Sequence, residues 1–455
     1  MFIIGNLFYE NDFAFLIVLS SKELNEYTYL DKTNIVNDVN IFRYKIKINP
    51  NEDIKIGKKI IKIPDTPPRL NNTSIYFLSC DGVNTFSYVG PVKLYNIKNK
   101  DENDNMWKKL YMDLKKDTNH YKYVIHIGDQ IYLEDANDEI HSLNAENDDE
   151  KIKKIYYSKY EKNYNNKYKK KVLESAFNVM IQDNHDTGIN YGSEKLSKKM
   201  AKYLNLMYVT LQENLYGINN NIIKHLQFDD FQVVIPNLRK YRKSNTSITE
   251  FPIMGKTQIK ELNDIISNTS TKIKRTIYVN TLPFFHLNKY IDKLAFKLFN
   301  ITLKQDKMIS FTTSSKDLKS DNYVSSDSYM KERKYVINKL FSLNNVVIVA
   351  GDKHLGDYCV LKKNDNEMLH ITTSPISSNP SSYINSSSSL INLFVKFLVT
   401  MTNKFMYEKK IDNIKIQKKW FVNDFNYLKV NDDKANLKCY FEKNNKTILL
   451  ENNHT

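Results

Sequence analysis

Glycine is scarce in this chain, 11 of 455 residues, and a sequence that avoids glycine keeps it where no side chain fits. Gly82, Gly128, Gly188, Gly192, Gly351 and Gly356 all fall in or beside the ends of four apolar runs. Cysteine is scarcer still. Cys80, Cys359 and Cys439 make neither a disulfide-type spacing nor a CxxC pair, which points to a reducing compartment. The longest apolar run, Leu390 to Met401, falls short of the roughly 18 residues that cross a bilayer. Asn392, Lys396 and Thr400 recur in it every four residues, as in a packed amphipathic helix. The N-terminus has no basic leader region, and Glu10 and Asp12 soon break its apolar start. A soluble, intracellular protein is the expectation. No internal repeat or zinc-finger spacing is visible.

The net charge is +15, which favours anionic partners: phosphate esters, nucleic acid or membrane headgroups. Against that background one construction recurs. Ile75-Tyr76-Phe77-Leu78 ends in Ser79-Cys80-Asp81-Gly82, and Tyr123 to Ile127 ends in Gly128-Asp129-Gln130-Ile131-Tyr132. Ala176 to Ile181 ends in Gln182-Asp183-Asn184-His185-Asp186, and Val346 to Ala350 ends in Gly351-Asp352-Lys353-His354. Each reads as a strand delivering polar groups to its C-terminal edge, where open α/β sheets bind ligands. Carboxylate, amide, imidazole and thiol are together the donors of a transition-metal site.

Gly-Asp-x-x-Tyr, Asn-His-Asp and Gly-Asp-x-His, in that order, resemble the calcineurin-like metallophosphoesterases. The branch they resemble is the PhoD-like alkaline phosphatases and phosphodiesterases, where Ser-Cys replaces the usual first Asp-x-His. Leu238-Arg239-Lys240-Tyr241-Arg242, Met254-Gly255-Lys256-Thr257-Gln258, Asp327-Ser328-Tyr329 before Glu332-Arg333, and Thr372-Thr373-Ser374-Pro375-Ile376 stand at matching places. The resemblance covers roughly Ser74 to Ile376. It implies an α/β fold: a calcineurin-like four-layer αββα sandwich, two mixed β-sheets flanked by helices, with a small N-terminal β domain. The expected division is residues 1–63 for that β domain, 64–73 for a Pro-rich linker and 74–455 for the metallophosphoesterase domain.

Along the chain, strands are predicted at 14–19, 42–48, 276–279, 358–361, 368–373 and near 437–450, with a strand pair or one long strand at 227–236. Helices are predicted from Asn105, as cap, to Asp117, and at 194–214, 257–268 and 326–342. Residues 133–150 read as a mobile loop. Between Lys151 and Lys171, Tyr156, Tyr160, Tyr164 and Tyr168 alternate with lysines. A nucleic-acid surface is one reading. Four-residue spacing puts the tyrosines on one packed helical face, with solvated lysines opposite, and that reading is preferred.

The resemblance implies two metal ions, a ferric ion and a divalent one (calcium, zinc or manganese). Asp129 would bridge them, Tyr132 would serve the ferric ion, Cys80 would be a thiolate ligand, Asn184 would serve the second ion, and Asp352 and His354 would reach both from one emerging strand. His185 is left beside the substrate, to assist the departing oxygen. Arg239 is placed as a structural or phosphate-facing group, because Asn237 stands where the branch usually has Asp. Asp81, Asp183 and Asp186 are read as groups that orient the ligands. His286 and His370 read as core histidines. The expected reaction is metal-dependent hydrolysis of phosphate monoesters or diesters. The alternatives are a nuclease, a phospholipid phosphodiesterase or a non-catalytic binding protein on the same fold.

Overall fold

Five consecutive residues are buried in each of the strands Phe177–Ile181, Phe231–Ile235 and Val346–Ala350, and six in Thr73–Leu78. Strands apolar on both faces belong in the middle of a layered structure, with something packed above and below. The computed structural model places them so. It describes residues 1–10, 13–49, 53–56, 59–63, 66–81, 87–89, 92–94, 100–187, 197–217, 222–242, 250–284, 327–343, 345–352, 356–373, 376–377, 409–422, 426–433, 436–443 and 446–450.

Six strands form one sheet, in the order Phe177–Ile181, Tyr121–Ile127, Thr73–Leu78, Asn426–Asp433, Asn436–Lys443, Lys446–Leu450. The first three are parallel and the rest antiparallel. Eight strands form the other, in the order Lys224–Gln227, Phe231–Ile235, Arg275–Asn280, Val346–Ala350, Asn366–Thr372, Gly356–Lys363, Ile414–Val422, Lys410–Ile411. Its centre is parallel. Ile75, Phe77, Ile125 and Val179 of the first sheet share one apolar core with Val233, Ile277, Val349 and Ile371 of the second. The sheets therefore face each other. Helix Lys100–Lys116 covers the outside of one through Trp107, Leu110 and Leu114. Helices Gly255–Ser267 and Asp327–Leu340 cover the other through Ile259, Leu262, Val336 and Ile337. This is the four-layer αββα arrangement.

A four-stranded sheet of residues 2–48 precedes these layers, in the order Phe2–Glu10, Phe13–Ser20, Val39–Ile48, Asp31–Val36. Its Ile4, Leu7, Val18 and Tyr44 join the core between the two large sheets. Asn178 Nδ2 also donates to Ile4 O at 2.8 Å.

Three local expectations need correcting. Residues 133–150 hold the helix Glu134–Ser142 and the start of helix Asp149–Tyr164. Leu133, Ala136 and Ile140, spaced three and four apart, are fully buried, and Tyr156 donates to Asn137 Oδ1 at 2.8 Å. The acidic residues lie on the other face, so composition alone made a packed segment look like a loop. The helix expected to start at Asn105 begins at Lys100 instead. The tyrosine stripe does pack: Tyr156, Tyr160 and Tyr164 are buried. The chain turns at Asn165 and Asn166, however, and opens a second helix, Lys167–Leu173, whose Lys169 is fully buried and not solvated. His286, residues 390–401 and His354 lie outside the described residues.

Candidate metal centre

Each strand end named above breaks sharply. Beyond Leu78, Cys80 has φ 57°; beyond Ile127, Gly128 and Asp129 have φ 83° and 55°; beyond Ala350, Asp352 has φ 72°. Left-handed backbone is rare for residues with a Cβ and concentrates at functional sites. Here it turns three donor side chains away from their strand directions. Backbone bonds lock two of the turns together: Cys80 N to Gly128 O at 3.3 Å and Asp81 N to Asp129 O at 2.7 Å. The fourth strand end enters a short 3-10 turn, His185–Thr187.

Asp186, fully buried, sits behind these turns. It accepts from the backbone N of Asp129 (2.8 Å), Asp183 (2.9 Å) and Ile131 (3.2 Å), and from Gln212 Nε2 (3.2 Å). Burial pushes its carboxyl up to about 7.

Three carboxylates converge in front. Ligating oxygens of Asp129, Asp183 and Asp352 all lie within 4.8 Å of one another. Asp129 and Asp183 are buried, and Cys80 Sγ lies 3.6 Å from Asp129 Oδ2. Burial raises the Asp129 carboxyl well above its ordinary range; His185 opposes this, and the Asp183, Asp186 and Asp352 charges reinforce it. Such a cluster is stable when cations neutralise it, so the residues fit a metal centre.

Asp183, expected to orient the ligands, brings its carboxylate to within 4.8 Å of those of Asp129 and Asp352. A clue lay in Gly128. A Cβ there would sit 2.4 Å from Asp183 Cβ, so the glycine admits Asp183 to the site.

Asp183 is held from behind by Arg239, whose Nε donates to Oδ1 in a pair fully buried on both sides. Arg239 Nη2 reaches Asn184 Oδ1 at 3.4 Å. Asn237 lies beside the pair without joining it. Its Oδ1 accepts from the N of Arg239 and of Lys240, both at 3.0 Å, and from Gln182 Nε2 at 3.1 Å. The amide thus fixes the turn that carries Arg239, and the arginine's carboxylate comes from Asp183. Gln258 bonds both sides of the Asn237 backbone, Oε1 from N at 2.9 Å and Nε2 to O at 2.8 Å. Gly255, φ 74°, would bring a Cβ to 3.1 Å from Tyr241 Cβ. Glu332 caps the entry to that helix, accepting from Ile253 N and Met254 N at 2.7 Å each. Three stretches far apart in sequence, 238–242, 254–258 and 327–333, therefore meet as one support under Asp183.

On the opposite side, Asp81 accepts from Trp107 Nε1 (3.1 Å), Lys169 Nζ (2.5 Å), Ser377 Oγ (2.5 Å) and Asn163 Nδ2 (3.4 Å). Lys169 also donates to Gln130 O at 3.1 Å, so one buried ammonium ties the residues that follow Cys80 and Asp129. Tyr132, 5 % exposed, stacks on half-buried His185 with ring centroids 4.1 Å apart. His185 N donates to Asp129 Oδ1 at 3.2 Å. Asn184 is 7 % exposed beside them.

Two facing mixed sheets inside helices, with buried carboxylates gathered at strand ends, define a metallophosphoesterase. The PhoD-like phosphatase family model matches residues 102–441, and the chain belongs to that family. A solved structure of PhoD is similar at TM-score 0.53 with 13 % identity, over 99 % of this chain and 91 % of that one. A purple acid phosphatase, PPD1, from yellow lupin (Lupinus luteus) seeds gives TM-score 0.49 and 11 % identity over 99 % and 68 %. A dimetal phosphatase from Danio rerio gives 0.43 and 9 % over 83 % and 98 %. No curated protein matches the sequence. The chain is a phosphoesterase: it hydrolyses phosphate esters in a metal-dependent reaction. No helix among the described residues is long and apolar enough to cross a membrane.

Proposed function

We propose that Asp129 bridges the two ions, with Cys80 and Tyr132 on a ferric ion. Asn184 would serve a divalent one, and Asp352 and His354 would reach both. The observation that carries this reading is the convergence of Asp129 with Asp183 and Asp352 within 4.8 Å, with the Cys80 sulfur 3.6 Å from the Asp129 carboxylate. When bound, two such ions screen the ester's charge and supply a hydroxide nucleophile.

The protein's part is positioning and proton management. Asp186 clamps the backbone of both Asp129 and Asp183, fixing two carboxylates at once. Arg239 acts through Asp183 and Asn184; its Nε is spent on a buried carboxylate, which makes it a positioning residue. His185 is held by its own N–H on Asp129 and by the Tyr132 ring, a placement that would set its imidazole beside the departing oxygen. Protonated there, it donates to that oxygen as the ester bond breaks.

Metal analysis with substrate screening tests the assignment. Asp129→Asn should lose two ions and all turnover, since a bridge serves both. Retention of both ions in that variant would overturn the bridging role. A panel of aryl monoesters, aryl diesters and oligonucleotides then sets the substrate class.

A further inference from the structure

A second group of ligating side chains lies elsewhere, on the outer face of the eight-stranded sheet. Asp357 and Cys359 are two apart on the strand Gly356–Lys363, so both leave it on the same side. The antiparallel neighbour Asn366–Thr372 sets His370 opposite Cys359 and Thr372 opposite Asp357. Ligating atoms of Asp357, Cys359 and His370 all lie within 4.8 Å of one another, and all three residues are buried. Cys359 packs with Leu361, Met368 and Phe284 in the core beneath the helices, while Val360, Leu369 and Ile371 point into the core between the sheets.

Apolar packing accounts for the cysteine and not for the aspartate. Asp357 is 1 % exposed, and its Oδ1 has no hydrogen-bond partner. Thr372 Oγ1, opposite it, is also buried and without one. A buried carboxylate oxygen without a partner carries an uncompensated desolvation cost. A cation held between the three side chains removes that cost.

We propose that Asp357, Cys359 and His370 form a mononuclear site for a divalent ion of zinc type, separate from the catalytic pair. Thiolate, imidazole and carboxylate are the zinc donor set, and three protein ligands leave one tetrahedral position for a water. Thr372 Oγ1 is the group placed to receive that water. Binding releases the Cys359 thiol proton to solvent. Phe284 N donates to His370 Nε2 at 3.3 Å, and the ion would be held through Nδ1. The ring proton that Nδ1 carries in the ion-free form then moves to Nε2, and the long Phe284 contact is given up. The ion clamps the hairpin of residues 356–372 and reports on the segment entering at Phe284.

The test is a metal count on protein produced with zinc, and again with cobalt, whose bond to a thiolate gives a near-ultraviolet charge-transfer band. Wild-type protein should hold about three ions per chain, and Asp129→Asn about one. Cys359→Ser and His370→Gln should hold about two, with phosphoesterase turnover close to wild type. In cobalt-loaded Cys80→Ser the thiolate band should persist, because Cys359 is its source. A wild-type count of about two, or an Asp129→Asn protein with none, overturns the site even if the Cys359 variant does not fold. So does a band lost with Cys80 alone.

Discussion

The phenol ring of Tyr132 lies against the imidazole of His185, centroids 4.1 Å apart and planes within 26°. The group assigned to a metal thus also orients the group assigned to the leaving oxygen. The two roles separate by mutation. Tyr132→Phe keeps the ring, and so the stack, and should abolish the visible phenolate-to-iron band. His185→Ala should keep its metal and cut turnover roughly 10²–10⁴-fold for poor leaving groups. That loss should shrink for p-nitrophenyl esters; an equal loss for both ester types argues against proton donation.

The buried Arg239–Asp183 pair gives a stability prediction. Removing one partner of a buried pair leaves an uncompensated charge and costs about 3–5 kcal/mol. Arg239→Met should therefore lower the urea midpoint strongly. Asp183→Asn combined with Arg239→Met should recover part of it, in a double-mutant cycle read by chemical denaturation. Additive losses would mean that the two side chains do not depend on each other.

Gly128→Ala tests how closely Asp183 must approach. The new methyl meets Asp183 Cβ at 2.4 Å, on backbone with φ 83°. Displacing Asp183 should weaken metal retention on dialysis against chelator, by tenfold or more if about 1.4 kcal/mol is lost. Unchanged retention would remove Asp183 from the centre.

Acid stability should carry the mark of His126, which is fully buried between Trp107 and Asn178. Burial lowers its pKa from 6.5 to about 3. Above pH 6.5 the ring is neutral folded or unfolded and contributes no pH dependence. Below it the unfolded chain binds a proton that the folded one refuses, so stability falls as pH drops from 6.5 toward 3. The slope from this group approaches 1.4 kcal/mol per pH unit. His126→Gln should lose about 2 kcal/mol less than wild type between pH 7 and pH 5.

The strand ends were legible because an apolar run that stops on a polar donor is a one-dimensional pattern. Leu78 before Cys80 and Ile127 before Asp129 could be read without knowing what lay opposite. The burial of Lys169 could not be read. Its neighbours Lys167, Lys170 and Lys171 look identical in sequence, and only the helix break at Asn166 turns this one inward onto Asp81. The same holds for Asn237, which looked like a lost carboxylate until Asp183, more than fifty residues earlier, proved to hold Arg239. Pairings set by tertiary approach leave no periodic trace.

Cys80, Asp129 and Asp352 keep left-handed backbone although none is glycine. Each such residue stores about 1 kcal/mol or more, so glycine at these positions would make the metal-free chain sturdier. Selection for heat resistance alone would favour those replacements and would dismantle the site donor by donor. On the ligand set proposed above, the ions are what make the strained turns worth keeping. A screen for stabilised variants of this protein should accordingly be run with metal bound, or it will enrich for well-folded chains that no longer react.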